Sequence, residues 1–268
     1  MEDTIRLINT LARSYHRVQI LEALGQQERL SRDEIKEHCD SSRTTISRNL
    51  IALEDNGWIT NTNRDYSITS AGELVLEKLT ELAMTIEVTQ QHDEMLEWLP
   101  LSEFNIDPIL LTDATFVSPE PSNPYAPFNY HIGAMNSTER FRCILPAIAL
   151  QPITIVRKRV VDRGCIHEVI VDHNVAETFR SEPAYADILD EMIDTGRFII
   201  SVYEGKCSYY FGIFEEVVQL GVKDEEGVPR GLVEFNADSA EVSEWADQIF
   251  NRYKQRSEPF SRESMATV

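Results

Sequence analysis

Ser42, Arg43, Thr44, Ser47 and Arg48 lie within one stretch of the 268-residue chain, SSRTTISRNLIALEDN over residues 41–56. Short hydroxyls and guanidiniums are the groups that reach phosphate oxygens and guanine edges. The hydroxyl donates to the backbone, and the planar guanidinium fork matches the O6/N7 pair of guanine. Ile46, Leu50 and Leu53 recur in the same stretch at four- and three-residue spacing. That stripe predicts a helix with the polar set on its opposite side. Ser41 or Ser42 caps its start, and Asn56-Gly57 stops it in a left-handed turn. A solvated surface helix has a similar composition, so the neighbouring elements decide between the readings.

Those elements come in a telling order. Leu11, Val18, Leu21 and Leu24 form the core side of a first helix over 11–24. Ser31-Arg32-Asp33-Glu34 is a capping box that opens a second helix, over residues 35–38. A Cys39-Asp40 turn leads into the third. Behind it, Trp58-Ile59-Thr60 and Tyr66-Ser67-Ile68-Thr69 alternate as two strands, with Asn63-Arg64-Asp65 at the tip. Helix, helix, turn, helix, two-stranded wing and a further helix is the winged helix-turn-helix order. Arg32, Ser42, Arg43, Thr44, Ser47, Arg48 and Arg64 are therefore the candidate DNA contacts, and double-stranded promoter DNA is the expected partner.

Composition sets limits on the rest. No N-terminal signal-type run and no stretch near eighteen apolar residues occurs, which predicts a cytoplasmic chain with no membrane partner. Cys39, Cys143, Cys165 and Cys207 lie far apart without a C-x-x-C pair, so buried free thiols are expected and neither metal nor cofactor is. The formal charge is −20, and 19 of the 25 basic residues are arginine. Acid excess with lysine avoided resembles proteins of a salt-loaded, haloarchaeal cytoplasm, where a hydrated acidic surface keeps a chain soluble. An acidic chain ordinarily argues against nucleic acid, but residues 1–70 carry 11 acids and 9 bases, against 34 and 16 over 71–268.

A long helix is expected over residues 71–98. Val75, Leu79, Leu82 and Ile86 form a heptad-like seam on it that suits either packing on the head or a homodimer. From residue 99 to 260 the pattern predicts an α/β domain with a mixed sheet, giving a mixed α/β chain overall. Strands are expected over 109–114, 153–157, 166–171, 198–202, 209–214, 216–220 and 231–235. Helices are expected over 138–149, 174–180, 185–195 and 239–254, an irregular loop over the proline-rich stretch 117–131, and a frayed tail over 261–268. Tyr130, His131, Arg140 and Arg142 are candidate contacts to a small-molecule effector. His167, Glu168, Asp172 and His173 invite a metal or acid–base reading, but strand alternation sends His167 and Glu168 to opposite faces. With no G-x-S-x-G, no phosphate-binding loop and no H-E-x-x-H, no catalytic residue is assigned and no enzyme activity is expected.

The Phe211-Gly212 strand, Gly221 followed by residues 224–227, and the Trp245 helix with Tyr253 and Pro259 resemble the end of a regulator domain named after a methanogenesis regulatory protein. With the head, residues 10–260 resemble archaeal, especially haloarchaeal, transcriptional regulators of that type. The resemblance implies a one-component regulator, a DNA-binding head joined to a C-terminal sensor. Sugar-responsive archaeal regulators with a phospholipase-D-like sensor have a similar architecture, but the H-x-K-x-x-x-x-D motif of the active hydrolases is missing here. The alternative function is a winged-helix adaptor that docks proteins rather than DNA.

Overall fold

The structure is a computed structural model that describes residues 1–224, 226 and 228–262. The expected frayed tail lies outside them from residue 263 onward, as do residues 225 and 227 of the turn that entered the resemblance. The chain is mixed α/β and forms two compact units, Met1–Ile86 and Glu87–Val268. Among the described residues, no helix is long and apolar enough to cross a membrane.

The first unit runs α1 (Glu2–Ala12), α2 (Tyr15–Gln26), β1 (Leu30–Ser31), α3 (Arg32–His38), α4 (Arg43–Asp55), β2 (Ile59–Thr62), β3 (Asp65–Ile68) and α5 (Ser70–Gln91). Its three strands pair antiparallel in the order β1-β3-β2. Ile46, Leu50 and Leu53 of α4 are fully buried with Ile20, Leu21 and Leu24 of α2 and Ile35 of α3. Each such side chain contributes about 1.5–3 kcal/mol by leaving water, which fixes the rotation of α4 about its axis. The capping box is present: Ser31 Oγ accepts from Glu34 N–H at 3.4 Å, and Ser31 N–H donates to Glu34 Oε2 at 2.7 Å. Gly57 takes φ 72° behind α4, the left-handed value that glycine adopts without strain.

The second unit continues with α6 (Asp93–Trp98), α7 (Leu101–Phe104), a 3-10 turn Pro108–Leu111, β4 (Thr115–Val117), α8 (Ala126–Ser137), β5 (Arg140–Leu145) and α9 (Leu150–Arg157). Then follow β6 (Ile166–Val171), α10 (His173–Ser181), α11 (Pro183–Asp194), β7 (Phe198–Tyr203), β8 (Phe211–Ile213), β9 (Val217–Lys223), β10 (Pro229–Asn236), α12 (Ala240–Lys254) and β11 (Ser257–Pro259). One eight-stranded sheet has the order β11-β7-β6-β5-β8-β9-β10-β4, with β5, β6 and β7 parallel and the other pairings antiparallel. Each face carries its own core. Ile144, Ile170, Phe211, Leu220 and Phe235 pack with Trp245, Ile249 and Phe250 of α12 on one side. Phe141, Cys143, Val169, Val171 and Phe198 pack with helical residues Met135, Ile153, Val175, Phe179 and Met192 on the other.

Several expectations are corrected. Residues 11–24 belong to two helices, separated at Ser14, which is extended at φ −137° and ψ 106°. The helix expected over 71–98 breaks at His92, with φ −130° and ψ 30°, and restarts as α6. Residues 109–114 hold a 3-10 turn in place of a strand, started by the Asp107 side chain, which accepts from Ile109 N–H at 3.1 Å, and by Pro108 behind it. The helix expected over 138–149 is strand β5. Its apolar residues Phe141, Cys143 and Leu145 recur every second position, and Pro146 follows its end. The strand expected over 153–157 is helix α9 despite its β-branched run, because packing on the sheet outweighs propensity. Pro127 sits in the first turn of α8, where its missing N–H costs nothing, so part of the expected loop is helical. Of the heptad-like seam, Val75 and Leu79 pack against the core of their own unit, while Leu82 and Ile86 are about half exposed, at 50% and 48%.

The start of α5 is set by a close approach. Thr69 Oγ1 donates to Gly57 O at 2.7 Å and accepts from Gly72 N–H at 3.1 Å. A Cβ on Gly72 would fall well inside van der Waals distance of the Trp58 carbonyl oxygen, a backbone atom with no room to yield. Gly72→Ala is therefore expected to destabilise the first unit by about 1–3 kcal/mol. A thermal melt that left the first unit unchanged would contradict this.

Candidate functional site

On the first unit, α4 presents its N-terminal half to solvent. Ser42 is the N-cap and accepts from Thr45 N–H at 3.2 Å, so its hydroxyl is partly committed to the helix. The Ser47 hydroxyl donates to Arg43 O at 2.9 Å. Arg43, Thr44 and Arg48 are exposed; Thr44 and Arg48 lie on the side of α4 away from Ile46, Leu50 and Leu53, whereas Arg43, one turn before Ile46, projects from the first turn toward α3 and not from the opposite side as expected. Arg43 Nη2 lies 3.4 Å from Asp33 Oδ1 with both side chains largely exposed, a contact worth ~0–1 kcal/mol and readily exchanged for another anion.

The β2–β3 hairpin comes to the same place. Thr62 pairs with Asp65, which leaves Asn63 and Arg64 as a two-residue hairpin loop at φ 56° and 74°. Two consecutive positive φ values are those of a type I′ turn, which asparagine tolerates at the first position and glycine prefers at the second. Arginine stands there instead, exposed. Arg32 Nη2 donates to Tyr66 Oη at 3.2 Å, which raises the pKa of its guanidinium, and Tyr66 of β3 is buried. Arg32, Arg43 and Arg64 together line one surface concavity of about 470 Å³, with Asp33, Asn61 and Tyr66. Three of the seven sequence-predicted contacts thus converge there, and Thr44 and Arg48 lie further along α4.

Arg17 was missed by the sequence reading. Its Nε donates to Asn49 Oδ1 of α4 at 3.2 Å and its Nη1 to the Thr10 carbonyl, tying α4 to α1 and α2. Burial, and then the like charges of Arg48 and Arg13, push its pKa below the ordinary value. The clustering of Arg13, Arg17 and Arg48 is a positive field with no carboxylate partner among the described residues. Nothing in the local sequence announces it, because it depends on how α2 lies against α4.

In the second unit, the four candidate effector contacts divide between the two faces of the sheet. Arg142 on β5 pairs with Asp247 of α12 at 2.6 Å and lies over the Phe250 ring, and Arg140 shares its side of the strand. Tyr130 and His131 of α8 belong to the other face. Tyr130 Oη donates to Glu234 Oε1 at 2.7 Å, and His131 Nδ1 lies 2.9 Å from Gln219 Oε1. The suspected metal or acid–base group also separates. Glu168 pairs with Lys254 at 2.6 Å, Asp172 caps α10 and accepts from Cys207 N–H at 3.3 Å, and His173 is exposed. His167 is fully buried against the Phe141 ring, with no hydrogen-bond partner for either ring nitrogen among the described residues.

Two outcomes follow. Arg64→Gly is expected to stabilise the first unit by about 1 kcal/mol, by relieving a side chain held at positive φ. A urea midpoint that fell would show that no strain is stored there. Burial and the Arg159 charge depress the His167 pKa to about 4, so the unfolded chain takes up this proton first as pH falls. Stability from this residue is complete above about pH 6.5 and is lost on the way down to about pH 4, an effect of about 3 kcal/mol. His131, also depressed by burial, acts in the same direction. His167→Leu should therefore flatten, without abolishing, the fall in unfolding midpoint between pH 7.5 and 4.5. An unchanged slope would sink this assignment.

Residues 6–91 match the HVO_A0261 N-terminal domain, and residues 124–256 match the middle domain of the methanogenesis regulatory protein FilR1. No curated protein matches the chain in sequence. Among solved structures, the archaeal chromatin protein TrmBL2, with a novel mode of DNA binding, is 13% identical. The alignment covers 94% of this chain and 98% of TrmBL2 at a TM-score of 0.42. The phospholipase D family member Nuc from Salmonella typhimurium is 10% identical, with 55% of this chain and 97% of Nuc covered at 0.42. NucT from Helicobacter pylori is 13% identical, with 55% and 98% covered at 0.43. Two family models thus divide the chain between them, the HVO_A0261 N-terminal domain resembling residues 6–91 and the FilR1 middle domain resembling residues 124–256.

Proposed function

We propose that this protein is a DNA-binding transcriptional regulator. In this reading the first unit is a winged helix-turn-helix, α4 enters the major groove, and Arg64 at the wing tip reaches the backbone or minor groove. The observation that carries it is the convergence of Arg32, Arg43 and Arg64 on one concavity beside the exposed Thr44 and Arg48. The FilR1 family name supports a regulatory role for the second unit. Ser42 acts mainly as the cap that aims the first turn, and Ser47 as a secondary contact.

A homodimer fits a two-fold symmetric operator. Leu74, Leu82 and Met84 of α5 and Ile5 and Ile8 of α1 are exposed apolar side chains that suit it. Val75 and Leu79 support it from within. The second unit is the ligand-responsive part, and its ligand changes DNA affinity by favouring one state of the dimer.

Binding of the purified protein to its own upstream DNA in about molar KCl, with scrambled DNA as competitor, tests the reading. Wild type is expected to bind saturably and to resist the scramble. Arg43→Ala/Arg48→Ala should weaken specific binding roughly 30-fold or more. Arg64→Gly should weaken it as well, opposite in sign to its effect on stability. Sedimentation of the same samples reads the stoichiometry, and a monomer on DNA would remove the dimer. Wild type and variant that both ignore sequence would instead favour the protein-docking adaptor.

A further inference from the structure

Behind α8 and α9 the second unit encloses a cavity of about 450 Å³, within the roughly 300–1,000 Å³ of small-molecule sites. Its walls are Phe128, Met135, Phe141, Ile153, Phe179 and Phe198, with similar side chains between them, and among the described residues no formally charged side chain lines it. Two polar groups break the apolar lining in a way the core does not explain. The Tyr210 hydroxyl is sealed from solvent and has no hydrogen-bond partner among the described residues. His131 closes on it edge to face, the ring centroids 4.8 Å apart.

Tyr210 is seated deliberately. A Cβ on Gly212 would lie 2.7 Å from Tyr210 Cζ, and one on Gly221 would lie 3.1 Å from Tyr210 Cβ. Gly221 N–H also donates to Tyr210 O at 2.9 Å. Two glycines on neighbouring strands therefore open the notch that holds this ring. They stand on the cavity face, because Phe211, Ile213, Leu220 and Val222 beside them point into the opposite core. One rung of the sheet runs Val169, Cys143, Gly212, Gln219, Glu234 across five strands. It begins in the cavity wall and ends at a carboxylate.

That polar end fixes the histidine. Glu234 accepts from Tyr130 Oη and, at 2.7 Å, from Gln219 Nε2. The amide of Gln219 must then turn its oxygen to His131, whose Nδ1 donates to it, leaving Nε2 as an acceptor on a neutral ring. Burial pushes Tyr210 and Cys143 well above their ordinary values, so both keep their protons, and it pushes His131 down. Among the described residues the cavity thus offers apolar walls, one unused O–H donor and no charged side chain.

We infer that this cavity binds a neutral, mainly apolar small molecule whose carbonyl-type oxygen accepts the hydrogen bond of Tyr210. An anionic ligand meets no counter-charge among the described lining residues, and Arg142 is paired with Asp247 on the opposite side of the sheet. The regulatory meaning of the site rests on the proposed function, whereas its binding chemistry does not.

Prodan, a neutral naphthyl ketone whose emission reports both burial and hydrogen bonding at its carbonyl, is the probe. Titrated into the full-length protein without DNA, it should bind saturably with blue-shifted emission. Val156→Trp, which fills the wall, should abolish binding. Tyr210→Phe, which leaves the volume and removes only the hydroxyl, should weaken it about tenfold and shift the emission of the bound probe. Naphthalene-2-sulfonate, similar in shape but anionic, should not compete. Absence of saturable binding to wild type, equal binding in Tyr210→Phe, or full displacement by the sulfonate would each overturn the inference. If Val156→Trp fails to fold by circular dichroism, Tyr210→Phe still decides. With no DNA in the assay, failure here leaves the DNA-binding reading standing, and the reverse also holds.

Discussion

The second unit depends on one constraint: a strand residue has only two directions to point, and the two faces of this sheet do different work. β5 sends Phe141 and Cys143 into one core and Ile144 into the other, with Arg142 on the side of Ile144. β9 sends Val218, Leu220 and Val222 to α12 and turns Gln219 and Gly221 toward α8. A slip of one residue in either strand would exchange every one of these positions. It would place Arg142 against apolar side chains and Leu220 where Gln219 now holds His131. Pairing along the eight strands therefore fixes the polar chain from Glu234 to His131 and the glycine notch under Tyr210 together, and neither can drift without the other.

In the first unit the corresponding constraint is the helical period of α4, and it sorts the polar residues by availability. The hydroxyls of Ser42 and Ser47 are already bonded within the helix. The guanidiniums are not: Arg48 and Arg64 have no carboxylate partner among the described residues, and Arg43 holds only an exposed contact to Asp33. The second unit treats most of its arginines differently. Arg157 and Arg230 bind carboxylates, while Arg159 and Arg197 donate to backbone carbonyls. Cations are consumed by the fold in one unit and left facing outward in the other. That contrast is what the proposed DNA contact requires, since neutralising an acidic protein would pair these guanidiniums with carboxylates.

What was legible in the sequence was what is decided locally. The capping box at Ser31, the stripe of Ile46, Leu50 and Leu53, and the turn at Gly57 act within a few residues, and each stands where its spacing placed it. Residues 138–149 and 153–157 were exchanged between helix and strand because β-branched residues in α9 and alternating charges in β5 give short, ambiguous signals. Only the sheet beneath them resolves these. Arg17 was invisible because its partner Asn49 is 32 residues away. The notch under Tyr210 was invisible for a similar reason. Gly212 and Gly221 look like strand punctuation until the fold brings both against the Tyr210 side chain. Third-strand pairing of Leu30 with Tyr66 was likewise hidden in a two-residue segment.

The uneven charge bears on how such a protein approaches DNA. Over residues 71–268 the net charge is −18, against −2 over residues 1–70. At low salt, where the screening length is about 10 Å, an acidic body tethered to the head repels a phosphate backbone and opposes association. Raising the salt toward molar shortens that length to about 3 Å and removes the repulsion, but it also removes the counterion-release gain from each phosphate contact. The two effects have opposite signs. If the first unit reads DNA as proposed, its affinity therefore falls with salt less steeply than its arginine contacts alone dictate. What survives at high salt is the part that neither effect touches: guanidinium forks on base edges and the geometry that aims them. An arginine kept at positive φ on the β2–β3 hairpin tip, and a like-charged cluster whose Arg17 is tied to the buried Asn49, are costs of folding that the proposed DNA contact makes intelligible.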